Sequence, residues 1–149
     1  MQLLLWRHAE AEDGVPDLER RLTARGHKQA RAVAGWLAPR LPKDCTVLCS
    51  PAARARETLA ALDPPRLLIE PRIAPGASVA AVLDALSRHR AAPAVLVVGH
   101  QPWIGGTIAT LLTRREQPWA VRKAALWWLG EDLPNNWSVV AVMDRDLAG

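Results

Sequence analysis

The sequence predicts a three-layer α/β/α fold in which helices cover both faces of a mainly parallel central sheet. Short apolar runs of strand length, clearest at residues 3–6 and 94–98, alternate with segments whose apolar residues recur at helical spacing. The 149 residues are enough for one domain with its own core, and no linker, repeat or low-complexity segment divides them. We therefore expect a single domain spanning residues 1–149.

The first third of the chain predicts one strand and one helix. Residues 3–6 form a continuous apolar run that ends in charge, which is typical of a strand buried on both faces. After Thr23 the apolar residues recur with the period of a helix, at Ala30, Val33, Ala34 and Leu37. Thr23 is a suitable N-cap and Pro39 lies beyond the last of these positions, so we expect an amphipathic helix between them.

The next segment predicts a second strand at residues 46–49. Ser50 and Pro51 follow it in the order of an N-cap and a first helical residue. This pattern predicts a second helix that begins at the end of the strand and continues to about Leu62.

The following segment alternates in the same way. Residues 66–70 are predicted as a short strand, and helical spacing returns before Pro93, at Val79, Val82, Leu83 and Leu86. Residues 94–98 form the clearest strand. The chain then turns at residues 99–102 into another predicted helix, which carries Ile104, Ile108, Leu111 and Leu112.

The last segment predicts two strands, at residues 124–129 and 137–143, around the turn-forming residues 130–136. We expect this pair to extend one edge of the sheet. Trp127 and Trp128 are adjacent in the first of these strands, so their side chains should face opposite sides of the sheet.

Composition and charge exclude several classes of function. Nineteen Lys and Arg against fifteen Asp and Glu give a net charge of +4, but the basic residues are scattered without interleaved aromatics, so nucleic-acid binding is not expected. Cys45 and Cys49 lack a second pair of Cys or His ligands, so we expect buried thiols and no metal site. The apolar opening is too short for a signal-peptide core and no apolar run has membrane-spanning length, which predicts a cytoplasmic protein without membrane association.

Reactive side chains follow three of the predicted strands. Arg7 and His8 end the first strand, Arg54 lies in the first turn of the second helix, and His100 follows the strand at residues 94–98. Ligands of open α/β sheets collect at the carboxyl ends of the strands, so we expect these four side chains to converge there. A phosphoryl group suits such a site, because guanidinium groups bind its oxygens bidentately and a helix N-terminus adds backbone donors.

These side chains differ in what they can do at phosphorus. Arginine keeps its proton and can only hold the oxygens. A neutral imidazole is a nucleophile, and cations such as Arg7 and Arg54 disfavour its protonated form, which keeps a ring nitrogen free near neutral pH. His8, between the arginines and the sheet, is therefore the predicted nucleophile. In-line phosphoryl transfer depends on positioning and electrostatic stabilisation, and this arrangement requires no metal.

The same residues belong to longer motifs that resemble a known family. These motifs are Arg7-His8-Ala9-Glu10, Asp17-x-x-Arg20-x-Leu22-Thr23-x-x-Gly26, Ser50-Pro51-x-x-Arg54-Ala55-x-x-Thr58 and Gly99-His100-x-Pro102. In combination they are similar to the histidine phosphatase superfamily, whose first strand ends in Arg-His-Gly or Arg-His-Ala. Within it, the short chain without a cap insertion most resembles the phosphohistidine phosphatases of the SixA type.

The resemblance implies a phosphoglycerate-mutase-like fold without a cap domain, and a catalytic cycle in which His8 becomes phosphorylated. It places Arg7, Arg54 and His100 in the phosphate pocket and adds Arg20 as a further phosphate ligand. It implies no cofactor.

The resemblance leaves the general acid open. Many members of the superfamily use a Glu near the middle of the chain, but here residues 71–75 read Pro-Arg-Ile-Ala-Pro, and Glu70 is displaced from the position. Asp17 matches an acidic position of the SixA-type pattern and is the preferred candidate. An alkoxide leaving group needs a proton, which a positioned acid supplies for a gain of about 10²–10⁴-fold, whereas the imidazole of a phosphohistidine needs less help.

The leading functional hypothesis is therefore a phosphatase acting on phosphohistidine in a protein, such as a histidine-containing phosphotransfer domain. A small-molecule phosphomonoesterase of the same superfamily is the alternative, although its expected features, a longer insertion and a definite acid, are not evident. A mutase is disfavoured for the same reason. A non-catalytic phosphate-binding module is the third hypothesis, and the complete set of nucleophile and phosphate ligands argues against it. The oligomeric state is unknown from the sequence.

Four other residues are assigned no role in the reaction. His27 and His89 lie among Arg and Lys on predicted helices, so we expect them at the surface. Trp103 could stack on a substrate group and Lys123 could border the pocket, but packing is favoured for the first and solvent exposure for the second.

Overall fold

The computed structural model describes all residues from 1 to 149. Six strands form one sheet, namely β1 (Gln2–Arg7), β2 (Cys45–Cys49), β3 (Leu68–Ile69), β4 (Ala94–Gly99), β5 (Leu126–Leu133) and β6 (Asn136–Met143). The α-helices are α1 (Ala24–Leu37), α2 (Ala53–Ala60), α3 (Val79–Ser87), α4 (Trp103–Thr113) and α5 (Arg145–Ala148). Short 3₁₀ turns lie at Asp17–Glu19 and Pro71–Ile73. None of the helices combines the length and the apolar character needed to cross a bilayer.

The strands lie across the sheet in the order β3-β2-β4-β1-β5-β6. The first four strands of the chain run parallel, β5 is antiparallel to β1, and β6 is antiparallel to β5. The predicted mainly parallel sheet, with the last two strands added on one side, is confirmed. Arg7 lies opposite Gly99 and Cys49 opposite Val98, so the carboxyl ends of β1, β2 and β4 lie side by side.

The handedness of the connections distributes the helices over the two faces. Parallel strands are joined by right-handed crossovers. The chain moves in one direction across the sheet from β1 through β2 to β3 and in the other from β3 to β4, so α1 and α2 cover one face and α3 covers the opposite face together with α4. Leu4 and Trp6 of β1 pack on the first face, and Leu3 and Leu5 pack on the second. The predicted three-layer architecture is confirmed.

Local sequence accounts for several element boundaries. Thr23 caps α1 as predicted, because its hydroxyl accepts a hydrogen bond from the Gly26 amide at 2.9 Å. Ser78 caps α3 in the same way. Trp127 and Trp128 pack on opposite faces of the sheet, as the strand period requires.

The start of α2 was predicted wrongly. Ser50 is not its N-cap, and Pro51 is not its first residue, because the helix begins at Ala53. The Ser50 hydroxyl lies instead against the ring of His100 and accepts a hydrogen bond from the amide of Ala52. The helix also ends at Ala60, two residues before the predicted end.

Two strands also differ from the prediction in length. β3 contains only Leu68–Ile69, since the turn at Pro71–Ile73 begins directly after Glu70. β5 continues to Leu133, because Asn135 takes a positive φ of 62° in a tight turn and the hairpin pairs Leu133 with Asn136. The short helix α5 had no predicted counterpart.

Candidate active site

The carboxyl ends of β1, β2 and β4 bring four predicted site residues together. Arg7 ends β1 and His8 follows it, Arg54 lies in the first turn of α2, and His100 follows β4. The ring centroids of His8 and His100 are 5.1 Å apart. Both arginines are close enough to lower the pKa of both histidines.

His8 is a buried, neutral imidazole with one free nitrogen. Its Nδ1 lies 2.7 Å from the carbonyl oxygen of Ala9. A carbonyl oxygen can only accept, so Nδ1 carries the proton of the neutral ring and Nε2 keeps its lone pair. Burial lowers the pKa of His8 to about 4, and three nearby charges act in the same direction, those of Arg54, Arg7 and Arg20. Near neutral pH His8 therefore has the protonation state and the tautomer of a nucleophile.

The loop that carries His8 is held by α1 and α2. The amide of Ala9 donates to Thr58 Oγ1 at 3.0 Å, and that hydroxyl donates to the carbonyl oxygen of Arg54 at 2.7 Å. Gly26 allows α1 to approach the loop closely, since a Cβ at this position would lie 2.0 Å from the carbonyl oxygen of Glu10. Thr58 and Gly26, both in the sequence motifs, thus fix the backbone on either side of Ala9.

His100 is buried between Ser50 and Trp103. Its Nε2 lies 2.6 Å from Ser50 Oγ, whereas Nδ1 is buried without a hydrogen-bond partner. Trp103 packs edge-on against the ring, with centroids 6.3 Å apart. Burial lowers the pKa of His100 to about 3, and repulsion from His8, when that ring is protonated, and from Arg54 acts in the same direction. His100 is therefore also a neutral ring near neutral pH, with Nδ1 available to a ligand.

Arg7 and Arg54 are hydrogen-bonded through their terminal nitrogens, whereas their Nε atoms have no partner. Arg7 Nη1 donates to the carbonyl oxygen of Val121 at 2.7 Å. Arg54 Nη1 donates to the carbonyl oxygen of Asp17 at 2.8 Å and Nη2 donates to its carboxylate at 3.1 Å. The Nε atoms of both are buried without a partner, as is Nδ1 of His100. Buried polar groups normally have partners, so this group of nitrogens indicates an anion site.

Asp17 accepts hydrogen bonds from both terminal nitrogens of the Arg54 guanidinium group. Its carboxylate also accepts a hydrogen bond from Arg20 Nη1 at 3.1 Å, and Arg20 Nε donates to the carbonyl oxygen of Glu12 at 2.7 Å. Hydrogen bonds from Arg20 and Arg54 lower the pKa of Asp17. The structure therefore places Asp17 and Arg20 beside Arg54, with the Asp17 carboxylate ionised and hydrogen-bonded to both guanidinium groups.

A sequence profile of the Histidine phosphatase superfamily (branch 1) matches residues 3–76. Phosphohistidine phosphatase SixA of Escherichia coli (strain K12) is 32% identical to this chain over 127 residues, which cover 79% of this chain and 78% of that protein. The chain belongs to the histidine phosphatase superfamily.

Three further comparisons concern one relative in sequence and two solved structures. An uncharacterized protein of Mycobacterium tuberculosis (strain H37Rv) is 40% identical over 101 residues, which cover 64% of this chain and only 63% of that relative. The structure of the protein histidine phosphatase SixA complexed with tungstate has a TM-score of 0.83 at 29% identity and covers 98% of both chains. This likeness confirms the phosphoglycerate-mutase-like fold, with no separate cap domain evident. The alpha-ribazole phosphatase from Shigella flexneri, at 20% identity and a TM-score of 0.78, shares the fold.

In this histidine phosphatase chain the mid-chain carboxylate, Glu70, forms an ion pair with Arg72. Glu70 Oε2 accepts a hydrogen bond from Arg72 Nη2 at 2.7 Å, and hydrogen bonding by Arg72 lowers the pKa of Glu70 to about 2. The following turn, Pro71–Ile73, carries no carboxylate and buries Ile73. Glu70 is therefore ionised and engaged with Arg72, whereas the Asp17 carboxylate lies beside Arg54.

The remaining residues considered from the sequence lie outside the anion site or pack beneath it. His27 and Lys123 are exposed and His89 is partly buried. Trp103 is buried and its Nε1 donates to the carbonyl oxygen of Ala74 at 3.3 Å, so it packs within the core. No group of three or more His, Cys, Asp or Glu side chains is placed to ligate a metal ion.

The two cysteines are thiols on the first face of the sheet. Both pack with the same core as α1, Cys49 fully and Cys45 in part. Burial raises the pKa of Cys45 to about 11 and that of Cys49 to about 12. Neither thiol is therefore a reactive nucleophile near neutral pH.

Proposed function

We propose that this protein is a phosphatase that removes the phosphoryl group from a phosphohistidine of another protein, through a covalent phosphohistidine at His8. One observation carries the proposal. The free Nε2 of His8 lies in a site with three buried, unpartnered nitrogens, Arg7 Nε, Arg54 Nε and His100 Nδ1. A nucleophile and a preformed set of anion ligands are what phosphoryl transfer needs. We assign the activity to one histidine phosphatase domain formed by residues 1–149.

The proposed cycle has two half-reactions. In the first, the lone pair of His8 Nε2 attacks phosphorus and the P–N bond to the substrate imidazole breaks. The electron pair of that bond stays on the departing nitrogen, which takes up a proton. In the second, water attacks the phosphoryl group on His8, the new P–N bond breaks, and inorganic phosphate leaves. Arg7, Arg54 and His100 hold the non-bridging oxygens throughout, and Arg20 is proposed as a further ligand.

Asp17 is the proposed general acid, but it has no proton to give in the free protein. Its hydrogen bonds from Arg20 and Arg54 keep it ionised. A bound phosphoryl dianion competes for Arg54 and brings negative charge next to the released carboxylate, and both changes raise the pKa of Asp17. We propose that substrate binding creates the acid in this way, and that Asp17 then acts as the base toward water in the second half-reaction.

The proposed substrate class follows from Asp17 being ionised until substrate binds. A phosphohistidine needs less protonation of its leaving group than a phosphomonoester, so it suits a site whose candidate acid starts as an anion. Cavities of about 530 and 630 Å³ lie near the amino ends of the strands and one of about 420 Å³ lies along α2, and none of the three is lined by His8, Arg54 or His100. Asp17, beside the site, is half exposed, which suits a phosphohistidine presented on a protein surface. A cytoplasmic histidine-containing phosphotransfer domain is the partner class that we propose.

Phosphate release from a phosphohistidine protein and from a panel of phosphomonoesters, with the wild type and His8→Ala, tests this function. We expect the phosphoprotein to have the highest kcat/KM and the variant to release no phosphate. Faster turnover of small esters would instead support a small-molecule phosphomonoesterase. Binding of phosphate without turnover of any substrate would support a non-catalytic module.

A further inference from the structure

Ser50 lies at the point where β2 approaches His100. It directly follows β2, its side chain is fully buried, and its amide donates to the carbonyl oxygen of Val98 at 3.1 Å. Its hydroxyl oxygen has two neighbours within hydrogen-bonding distance. The Ala52 amide donates to it at 3.2 Å, and Nε2 of His100 lies 2.6 Å away.

The two neighbours of the Ser50 hydroxyl fix the direction of its hydrogen bond with His100. The Ala52 amide is a donor, so it cannot take the hydroxyl proton of Ser50. Nε2 of His100 is the remaining neighbour, and a buried hydroxyl without an acceptor would carry a desolvation penalty. Ser50 therefore donates to Nε2, and Nε2 accepts through its lone pair.

The direction of this bond decides the tautomer of His100. The neutral ring has one N–H, and with Nε2 as acceptor the proton must lie on Nδ1. Nδ1 is the buried ring nitrogen that lacks a partner in the protein. As an N–H it can donate to a phosphoryl oxygen, whereas in the other tautomer a lone pair would face the oxygens and repel them.

We propose that Ser50 is a positioning residue of the phosphatase site, which holds His100 as the Nδ1–H tautomer so that this ring donates a hydrogen bond to the transferring phosphoryl group. This inference rests on the proposed function for its catalytic part only. The tautomer is a property of the free protein and can be measured without any substrate.

The tautomer test uses ¹⁵N-histidine-labelled protein at neutral pH, with the His100 signals identified by their loss in His100→Asn. We expect a protonated Nδ1 and an unprotonated Nε2 in the wild type, and a mixed or reversed population in Ser50→Ala. A wild-type ring protonated at Nε2 would overturn the proposal, whatever the activity of the protein.

The kinetic test compares Ser50→Ala with Ser50→Thr, which keeps the hydroxyl. Thr107→Val is the matched control, since it removes another fully buried hydroxyl, one that has no hydrogen-bond partner. We expect kcat for the phosphohistidine protein to fall by about 10- to 100-fold in Ser50→Ala, as for loss of a buried hydrogen bond, and to recover in Ser50→Thr. We expect Thr107→Val to keep kcat within about twofold. Unchanged kcat in a Ser50→Ala protein with an altered tautomer would overturn the catalytic part.

Discussion

We propose that Asp17 and a phosphate compete for the same arginine, Arg54. The carboxylate and the backbone carbonyl of Asp17 both accept hydrogen bonds from Arg54, in the place of two phosphate oxygens. In the free protein Asp17 therefore engages the two terminal nitrogens of Arg54, whereas Nε of Arg54 has no partner. In the proposed mechanism, substrate binding displaces the Asp17 carboxylate, which is then free to take part in proton transfer.

Asp17→Asn separates the two roles of this residue. Because the variant removes the charge that competes for Arg54, we expect the affinity for inorganic phosphate, measured by calorimetry, to increase by up to about fivefold. Because it also removes the acid, we expect kcat for phosphomonoesters to fall by about 10²-fold or more and kcat for a phosphohistidine protein to fall less. Glu19→Gln is the control, since Glu19 is an exposed carboxylate in the same 3₁₀ turn. An equal loss with both substrates would show that Asp17 is not the acid.

The sequence identified individual site residues better than their contacts. Arg7, His8, Arg54 and His100 could be placed together because each follows a predicted strand and parallel strands end at one edge. Local patterns could not show that Ser50 contacts His100, fifty residues away, and they favoured a helix cap at Ser50 instead. The pairing of Asp17 with Arg54 could not be predicted from local sequence for the same reason, since it depends on how the loop that carries Asp17 folds back over α2.

At the scale of elements, the first turn of α1 supports the loop that carries His8. Gly26 is buried against the backbone of Glu10, and the hydroxyl of Thr23 donates to the Glu10 carboxylate at 3.0 Å. A side chain at residue 26 would push the helix away from this loop. Residue 26 is therefore a glycine because the helix and the loop approach closely there, and not because its backbone conformation is unusual.

Gly26→Ala and Gly35→Ala form a matched pair within this helix. A Cβ at residue 26 would lie 2.0 Å from a carbonyl oxygen, whereas a Cβ at residue 35 would meet nothing within 4 Å. We expect Gly26→Ala to lower the free energy of unfolding in urea by about 1–3 kcal/mol and Gly35→Ala to raise it by about 0.5–1 kcal/mol. A Gly26→Ala protein as stable as Gly35→Ala would contradict the proposed role of the close approach.

Strand lengths were predicted less well than strand positions. The buried run of β4 is apolar throughout and was placed to within one residue, since its burial depends on its own side chains. β3 lies at an edge and pairs only Leu68 and Ile69 with β2, so its length depends on tertiary pairing more than on sequence. The tip of the β5–β6 hairpin was assigned to a long turn, because polar residues continue in the strands where the hairpin is exposed.

At the scale of the whole molecule, the site also affects stability. Folding buries two imidazoles in a neutral form, and their pKa values are lowered from 6.5 to about 4 for His8 and about 3 for His100. Below pH 6.5 the unfolded chain binds protons at these rings while the folded protein does not. Proton binding at these rings therefore leaves the free energy of unfolding unchanged above pH 6.5. It lowers that free energy as the pH falls toward about 4 for His8 and about 3 for His100.

The corresponding prediction concerns the free energy of unfolding in urea between about pH 7 and pH 5. We expect it to decrease with falling pH, with a slope that approaches about 1.4 kcal/mol per pH unit for each buried ring. The carboxylate of Glu70, with its pKa lowered to about 2, contributes only at lower pH. A His8→Asn/His100→Asn double variant should show a flatter dependence in the same range. Equal slopes for the two proteins would mean that the rings are not held neutral by folding.

The central claim is that His8 carries the phosphoryl group during turnover. The most direct test quenches the reaction with a phosphohistidine protein in alkali, which preserves phosphohistidine, and locates the phosphoryl group on the enzyme by mass spectrometry. We predict a phosphoryl group on His8 in the wild type and none on the enzyme in His8→Asn. Turnover with the phosphoryl group on another residue, or an active His8→Asn protein, would contradict the claim.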